Sequence, residues 1–168
     1  MENYIMLDGK KIEIGAELAE MLAQAVKQEP KKVDPFARQT LGEPYYRIDG
    51  TGTVLVDRDD LTPLDAQQLA VANYCTDKEL MGQRALHETL NRLLWRYSEQ
   101  HGGDHPWNGV EVNHFFIFWD LLNYKWRVMS ASNYKELGVV YFKDTQTAEK
   151  AIEEIVEPFV EAHPEFRW

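Results

Sequence analysis

The chain carries a single cysteine, Cys75, in 168 residues. It forms no internal disulfide, and without a Cys-x-x-Cys pair it offers neither a zinc ribbon nor a dithiol redox centre. Long apolar runs are missing too. Nothing approaches the roughly 20 residues that cross a bilayer, and the start, MENYIMLDGKKIEI, has no basic stretch leading into an apolar one. A cytoplasmic protein without membrane attachment is the expectation. Positive charge is scarce: Lys and Arg number 18 against 28 Asp and Glu, a net charge of −10. Contacts to a nucleic-acid backbone draw on Lys and Arg that displace counterions, so direct nucleic-acid binding is not expected. A glycine-rich phosphate loop, Gly-x-Ser-x-Gly and Ser-x-x-Lys are all absent, which removes the common routes to phosphate and serine-nucleophile chemistry. No cofactor is implied.

What is present is a globule's composition, 44% hydrophobic and 12% aromatic. Ile5 and Leu7, then Ile12 and Ile14, flank Asp8-Gly9, a dipeptide favoured in hairpin turns. Leu18, Leu22, Ala25 and Val26 then fall at helical spacing, with Pro30 just beyond. Residues 1–30 therefore predict a hairpin-plus-helix unit. Residues 31–44, rich in proline and without a sustained period, predict a connector.

Residues 45–168 carry one pattern twice. In the first pass, YYRID and TVLVD flank GTG as a hairpin, Thr62-Pro63 opens a short helix, and AVANYC follows as a strand. Thr76 and Glu79 form a capping box for a helix from about Asp77 to His101. Leu86, Leu90, Leu93, Leu94 and Tyr97 supply its buried stripe, and Gly102-Gly103 ends it. In the second pass, HFFIFWD and KWRVMS flank LLNY, LGVVYF is a third strand, and Asp144 or Thr145 caps a helix whose stripe is Ala148, Ile152, Ile155, Val156 and Phe159. The strand ends match 67 residues apart and the helix stripes 66, which predicts one residue lost near the cap. Pro158 should kink the last helix or begin a new turn, letting Phe159, Phe166 and Trp168 fold back. The expected fold is α+β: two β-β-β-α modules, residues 45–103 and 112–168, behind the amino-terminal unit.

KELGVVYF, Lys135 to Phe142, approaches the RNA-recognition octamer but has Leu137 and Val139 where bases stack on aromatic rings. Leu121 to Glu136 is also too short for the helix that fold places between its first two strands. Candidate chemistry is otherwise thin. His101, Asp104, His105 and His114 share one segment and are metal-capable, yet Gly102-Gly103 and Pro106 interrupt any regular spacing between them. His87-Glu88 lacks the second zinc-peptidase histidine, because position 91 is Asn91. Cys75, in an apolar stretch with no evident base, is expected to be a buried thiol.

Charge runs in rows on the two long helices. Arg84, Glu88, Arg92 and Arg96 succeed one another at i+4, with Glu88 and Arg92 in the favourable order for an ion pair. Arg84, Arg92 and Arg96 could form a basic ridge, though a solvated face has the same pattern. Glu149, Glu153, Glu157 and Glu161 also run at i+4, with Glu154 beside them. Like charges so aligned are mildly destabilising, which suits a surface kept for a basic partner, though a plain surface helix has the same pattern. In HFFIFWD both faces carry large groups, His114, Phe116 and Phe118 on one and Phe115, Ile117 and Trp119 on the other. The second face needs covering, and coverage within the chain is expected.

ANYCTDKELMGQRALHETLNRLLWRYSEQHGG followed by GVVYFKDTQTAEKAIEEIVEPFVEAHPEFRW resembles proteins without assigned activity from phages, prophages and conjugative elements of gut Firmicutes. The resemblance spans residues 45–168 and implies a mobile-element accessory protein working in a bacterial cytoplasm. The resulting expectation is a non-catalytic protein that binds a host or phage protein. Two alternatives stand beside it: an anti-defence inhibitor of anti-CRISPR type whose acidic helix mimics nucleic acid, and a metal-dependent enzyme at His101, His105 and His114.

Overall fold

The computed structural model describes residues 4–7, 10–13, 15–27, 34–108 and 112–167. They fall into two compact units, 1–37 and 38–168. The turn expected at Asp8-Gly9, Ile14, the stop at Pro30 and the refolding of Trp168 lie outside the described residues.

In the first unit, β1 (Tyr4–Leu7) pairs antiparallel with β2 (Lys10–Glu13), Ile5 opposite Ile12, and α1 (Ala16–Lys27) follows. The hairpin-plus-helix expectation is met there. The connector, however, is shorter than its composition suggests. Residues 38–43 belong to the second unit, because Arg38 pairs with Asp59, the Gln39 N–H reaches the Tyr74 hydroxyl and the Gly42 N–H reaches the Asp59 carbonyl.

The second unit is α+β and is built from the two modules. In the first module, β3 (Pro44–Ile48) pairs with β4 (Val54–Arg58) around a turn held by Asp49. Gly52 sits there at φ +93°, and a Cβ on it would lie 2.8 Å from Thr89 Oγ1, so this turn needs glycine. Helix α2 (Pro63–Ala70) opens with a complete capping box: Thr62 Oγ1 accepts the Asp65 N–H while the Asp65 carboxylate accepts the Thr62 N–H. AVANYC is not a strand. Ala70 ends α2, Ala72 turns the chain at φ +55°, and only Cys75 reaches the sheet, as an antiparallel bridge to Tyr46.

Helix α3 (Lys78–Gln100) matches its expected span, but the capping residue differs. Asp77, not Thr76, accepts the Leu80 N–H, because Asp77 is the last extended residue and its short carboxylate reaches the exposed first-turn donors. At the other end the Gly103 N–H bonds the Ser98 carbonyl and the Gly102 N–H the Glu99 carbonyl, a Schellman closure with both glycines at positive φ.

The first module thus runs β-β-α-α, and only the second keeps the expected β-β-β-α order. Strand β5 (His114–Asp120) is central, with β6 (Lys125–Ala131) on one side and β7 (Tyr141–Phe142) on the other, all antiparallel. The third strand is shorter than LGVVYF, because Gly138 takes φ +77° and turns the chain before it. Asp144 caps α4 (Thr145–Ala151) by accepting the Thr147 N–H at 2.6 Å. Asp77 and Asp144 are 67 apart, like the paired Cys75 and Phe142 (144 − 77 = 142 − 75 = 67), so no residue is lost at the cap. Further on, one π turn (Ile152–Val156) precedes α5 (Glu157–Ala162). Pro158 has no N–H for the Glu154 carbonyl and its ring crowds that turn, so the helix widens, with the Glu157 N–H bonding Ile152, and continues past the proline.

Helix α3 serves both modules. Its first half, Met81 and Ala85, packs on Ile48 and Cys75; its second half, Leu90, Leu94 and Tyr97, packs on Phe142, Ala148, Val156 and Phe159. Phe166 joins this second cluster, and the segment leading to it is strapped to α3 by Gln83, whose side-chain amide bonds both the Glu165 carbonyl and the Arg167 N–H at 2.8 Å.

Candidate protein-binding surface

The hairpin joining β5 and β6 projects an apolar tip. Leu121, Leu122 and Tyr124 are 74%, 90% and 79% exposed, yet the turn that carries them is tightly held. Asp120, at the end of β5, accepts the N–H groups of Leu122 and Asn123 on one carboxylate oxygen and the Asn123 side-chain amide on the other. Arg127 approaches that second oxygen at 3.2 Å. The Asn123 amide first, then these N–H groups and Arg127, hold the Asp120 carboxyl below its ordinary range against the opposing effect of burial. Tyr124 completes the turn at φ +49°. Two leucines and a tyrosine are thus fixed in water, the arrangement expected of a contact surface.

Behind the tip the two faces of the sheet differ. Phe115 and Ile117, with Trp126 and Val128 of β6, turn toward α3 and α4 and close the main core. The opposite face is covered within the chain, as expected, but only over its base. There Trp107 lies flat on His114, with ring centroids 3.5 Å apart at 11°, and Asp104 holds both partners, 2.7 Å from the Trp107 indole nitrogen and 2.7 Å from His114 Nδ1. Tyr141 meets Trp107 edge-on and Phe116 completes the cluster. Toward the tip, Met129 is exposed and Phe118 half-buried.

The five glutamates of the acidic row, Glu149, Glu153, Glu154, Glu157 and Glu161, are all exposed. The π turn interrupts the four-residue spacing between Glu153 and Glu157 without burying either. None of the five forms an ion pair among the described residues. Beneath this row, the Tyr97 hydroxyl is buried and makes no close hydrogen bond among the described residues, but the Glu154 carboxylate faces it, and burial first, then Glu154, raises its pKa.

The basic ridge is used internally. Arg84 pairs with Glu88 at 2.8 Å and donates to the Ala72 carbonyl, pinning the exit of α2. Arg92 takes the Glu88 carbonyl and the Gly50 carbonyl of the first hairpin, so the pair expected between Glu88 and Arg92 side chains is replaced by one to Arg84. Of the ridge, Arg96 alone forms no ion pair or side-chain hydrogen bond among the described residues. The histidines do not converge either. His101 stacks on Tyr97, His114 is buried against Asp104, and His105 is exposed. Among the described residues no three His, Cys, Asp or Glu side chains are placed to hold a metal ion. Cys75 is buried, as expected.

Sequence reasoning missed the densest polar site, inside the first module. Asp59 is fully buried and accepts from Arg38 (3.1 and 3.3 Å), the Tyr74 hydroxyl (2.9 Å) and the Leu61 N–H (2.9 Å). Asp65 accepts from Thr62 and from the Tyr45 hydroxyl, and Tyr45 stacks on Tyr74 with centroids 4.0 Å apart. Arg38 foremost, with Leu61 and Tyr74, depresses the Asp59 carboxyl, and the Thr62 bonds depress that of Asp65. Each carboxylate here is bonded from within the chain, so the cluster ties 38–43, α2 and the Tyr74 segment together. No helix among the described residues is long and apolar enough to cross a membrane. Comparison with family models, curated proteins and solved structures found no match.

Proposed function

We propose that this protein is a non-catalytic accessory factor of a phage or other mobile element, acting in the bacterial cytoplasm by holding a host or phage protein. The observation that carries the binding role is the β5–β6 tip, where Leu121, Leu122 and Tyr124 stand exposed on a turn that Asp120 fixes. An ordered apolar tip loses little conformational entropy on docking, and leucine and tyrosine supply contact area. The mobile-element setting rests on the resemblance of residues 45–168 alone. Capture from a Firmicutes host lysate tests the role. Wild-type protein should retain a partner that the Leu121→Ser, Leu122→Ser, Tyr124→Ser variant loses at unchanged melting temperature. Equal retention by both would count against it.

A second reading, the anti-defence inhibitor, is favoured by the five exposed glutamates, which form no ion pair among the described residues. It requires binding to a nucleic-acid-handling effector that weakens steeply with salt. The Glu149→Lys, Glu153→Lys, Glu157→Lys variant should abolish that binding; unchanged binding removes this reading. Nothing among the described residues favours the metal-dependent enzyme.

A further inference from the structure

The free edge of β6 lies beside the acidic helix, and the two together make a site that neither makes alone. Resting on the protein-binding reading, we infer that β6 accepts an extended segment of the partner as an added strand, with a lysine or arginine of that segment meeting Glu149. Strand β6 has seven residues, pairs with β5 without a bulge from Lys125 opposite Asp120 to Ala131 opposite His114, and has no strand on its other side among the described residues. Every second residue of such a strand turns its N–H and C=O away from β5. Natural edges are blunted by shortness, proline, a bulge or charged side chains, and of these β6 has only the last, Lys125 and Arg127. Its charges, Lys125 and Arg127, sit on one face, where Arg127 is tied to Asp120.

A groove of about 520 Å³ wraps this edge: Trp126, Val128, Thr145, Glu149 and Ile152 line it on the α4 face, and Phe118, Lys125, Arg127 and Met129 on the other. An added strand would send alternate side chains into it. Val128, Trp126 and Ile152 suit apolar residues there, and Glu149 suits a cation.

A second copy of this chain fits poorly. Two-fold pairing of β6 with β6 would bring α4 beside its own mate, because α4 packs on the same sheet face, and would set Glu149 and Glu153 of two chains, each of net charge −10, against their counterparts. The occupant is therefore a different, basic-apolar segment.

The probe is the heptapeptide Thr-Val-Thr-Lys-Thr-Val-Thr, titrated to millimolar concentration into ¹⁵N-labelled full-length protein. Saturable amide shifts along Lys125–Ala131 and Thr145–Ile152 are expected, with slowed hydrogen exchange on β6. Replacing the peptide lysine by glutamate, or Glu149→Lys in the protein, should each weaken binding about fivefold, and methylating alternate peptide nitrogens should abolish it. No shift on β6, equal binding of the glutamate peptide, or binding that survives methylation overturns the edge assignment. Loss of partner capture in the tip variant is unaffected by those results, so the broader binding role stands or falls separately.

Discussion

The two modules close their first hairpins with the same device and present opposite chemistry. Asp49 and Asp120 each end a first strand and gather the N–H groups of the following turn on one carboxylate oxygen, Thr51 and Thr53 in one case, Leu122 and Asn123 in the other. The first turn carries glycine and threonine and is touched by Arg92 from α3. The second carries Leu121, Leu122 and Tyr124 into solvent. Folding needs the aspartate at both places but does not need leucine at a tip. The proposed contact surface rests on that difference. The interiors diverge in the same sense: buried charge and tyrosine in the first module, an apolar cluster around Phe142 in the second.

The largest expected effect comes from the third strands. Phe142, fully buried on β7, should cost about 4 kcal/mol when changed to alanine, whereas Cys75→Ala at the corresponding bridge should cost about 1 kcal/mol. Urea unfolding measures both. Similar losses would mean that the modules do not divide their cores as described.

Acid should separate the modules next. Asp49, Asp59 and Asp65 in the first and Asp120 and Asp144 in the second all titrate below their ordinary values when folded. The unfolded chain takes up these protons first, so their stabilisation is intact above about pH 4 and is lost as pH falls through the folded values. With two of its carboxylates buried, the first module should lose amide-exchange protection at higher pH than the second. Asp59→Asn should make the acid limb of the urea midpoint shallower.

Smallest is the contrast between two buried hydroxyls. The Tyr45 hydroxyl donates to Asp65, and Tyr45→Phe should cost about 1 kcal/mol. The Tyr97 hydroxyl makes no close hydrogen bond among the described residues, with only the Glu154 carboxylate facing it, so Tyr97→Phe should cost less than Tyr45→Phe by thermal melting.

Periodicity made much of this fold legible. The stripe from Leu86 to Tyr97, the Gly102-Gly103 stop, the Thr62-Pro63 start and the HFFIFWD strand stand where pattern places them. Pattern failed where one backbone angle decides: Ala72 and Gly138 at positive φ cut both third strands short. It also failed where partners are distant in the chain. Arg38, Asp59 and Tyr74 meet only after folding, and nothing in PFARQ or DRDD foretells it. The apolar tip was written in LLNY, since two leucines in a hairpin turn defy turn chemistry, but exposure became plain only with the sheet in place. Along the basic ridge, Arg84 and Arg92 bond carbonyls that helical spacing does not show.

The contrast between the two turns is tested most directly by placing the photo-crosslinking residue p-benzoylphenylalanine at Leu122 in one variant and at Thr51 in another, and irradiating bacterial cells that make each. A discrete adduct from position 122 and none from position 51 is the predicted result. Adducts of equal yield from both positions, or none from 122 in a correctly folded variant, would contradict the assignment of the second hairpin as the contact surface.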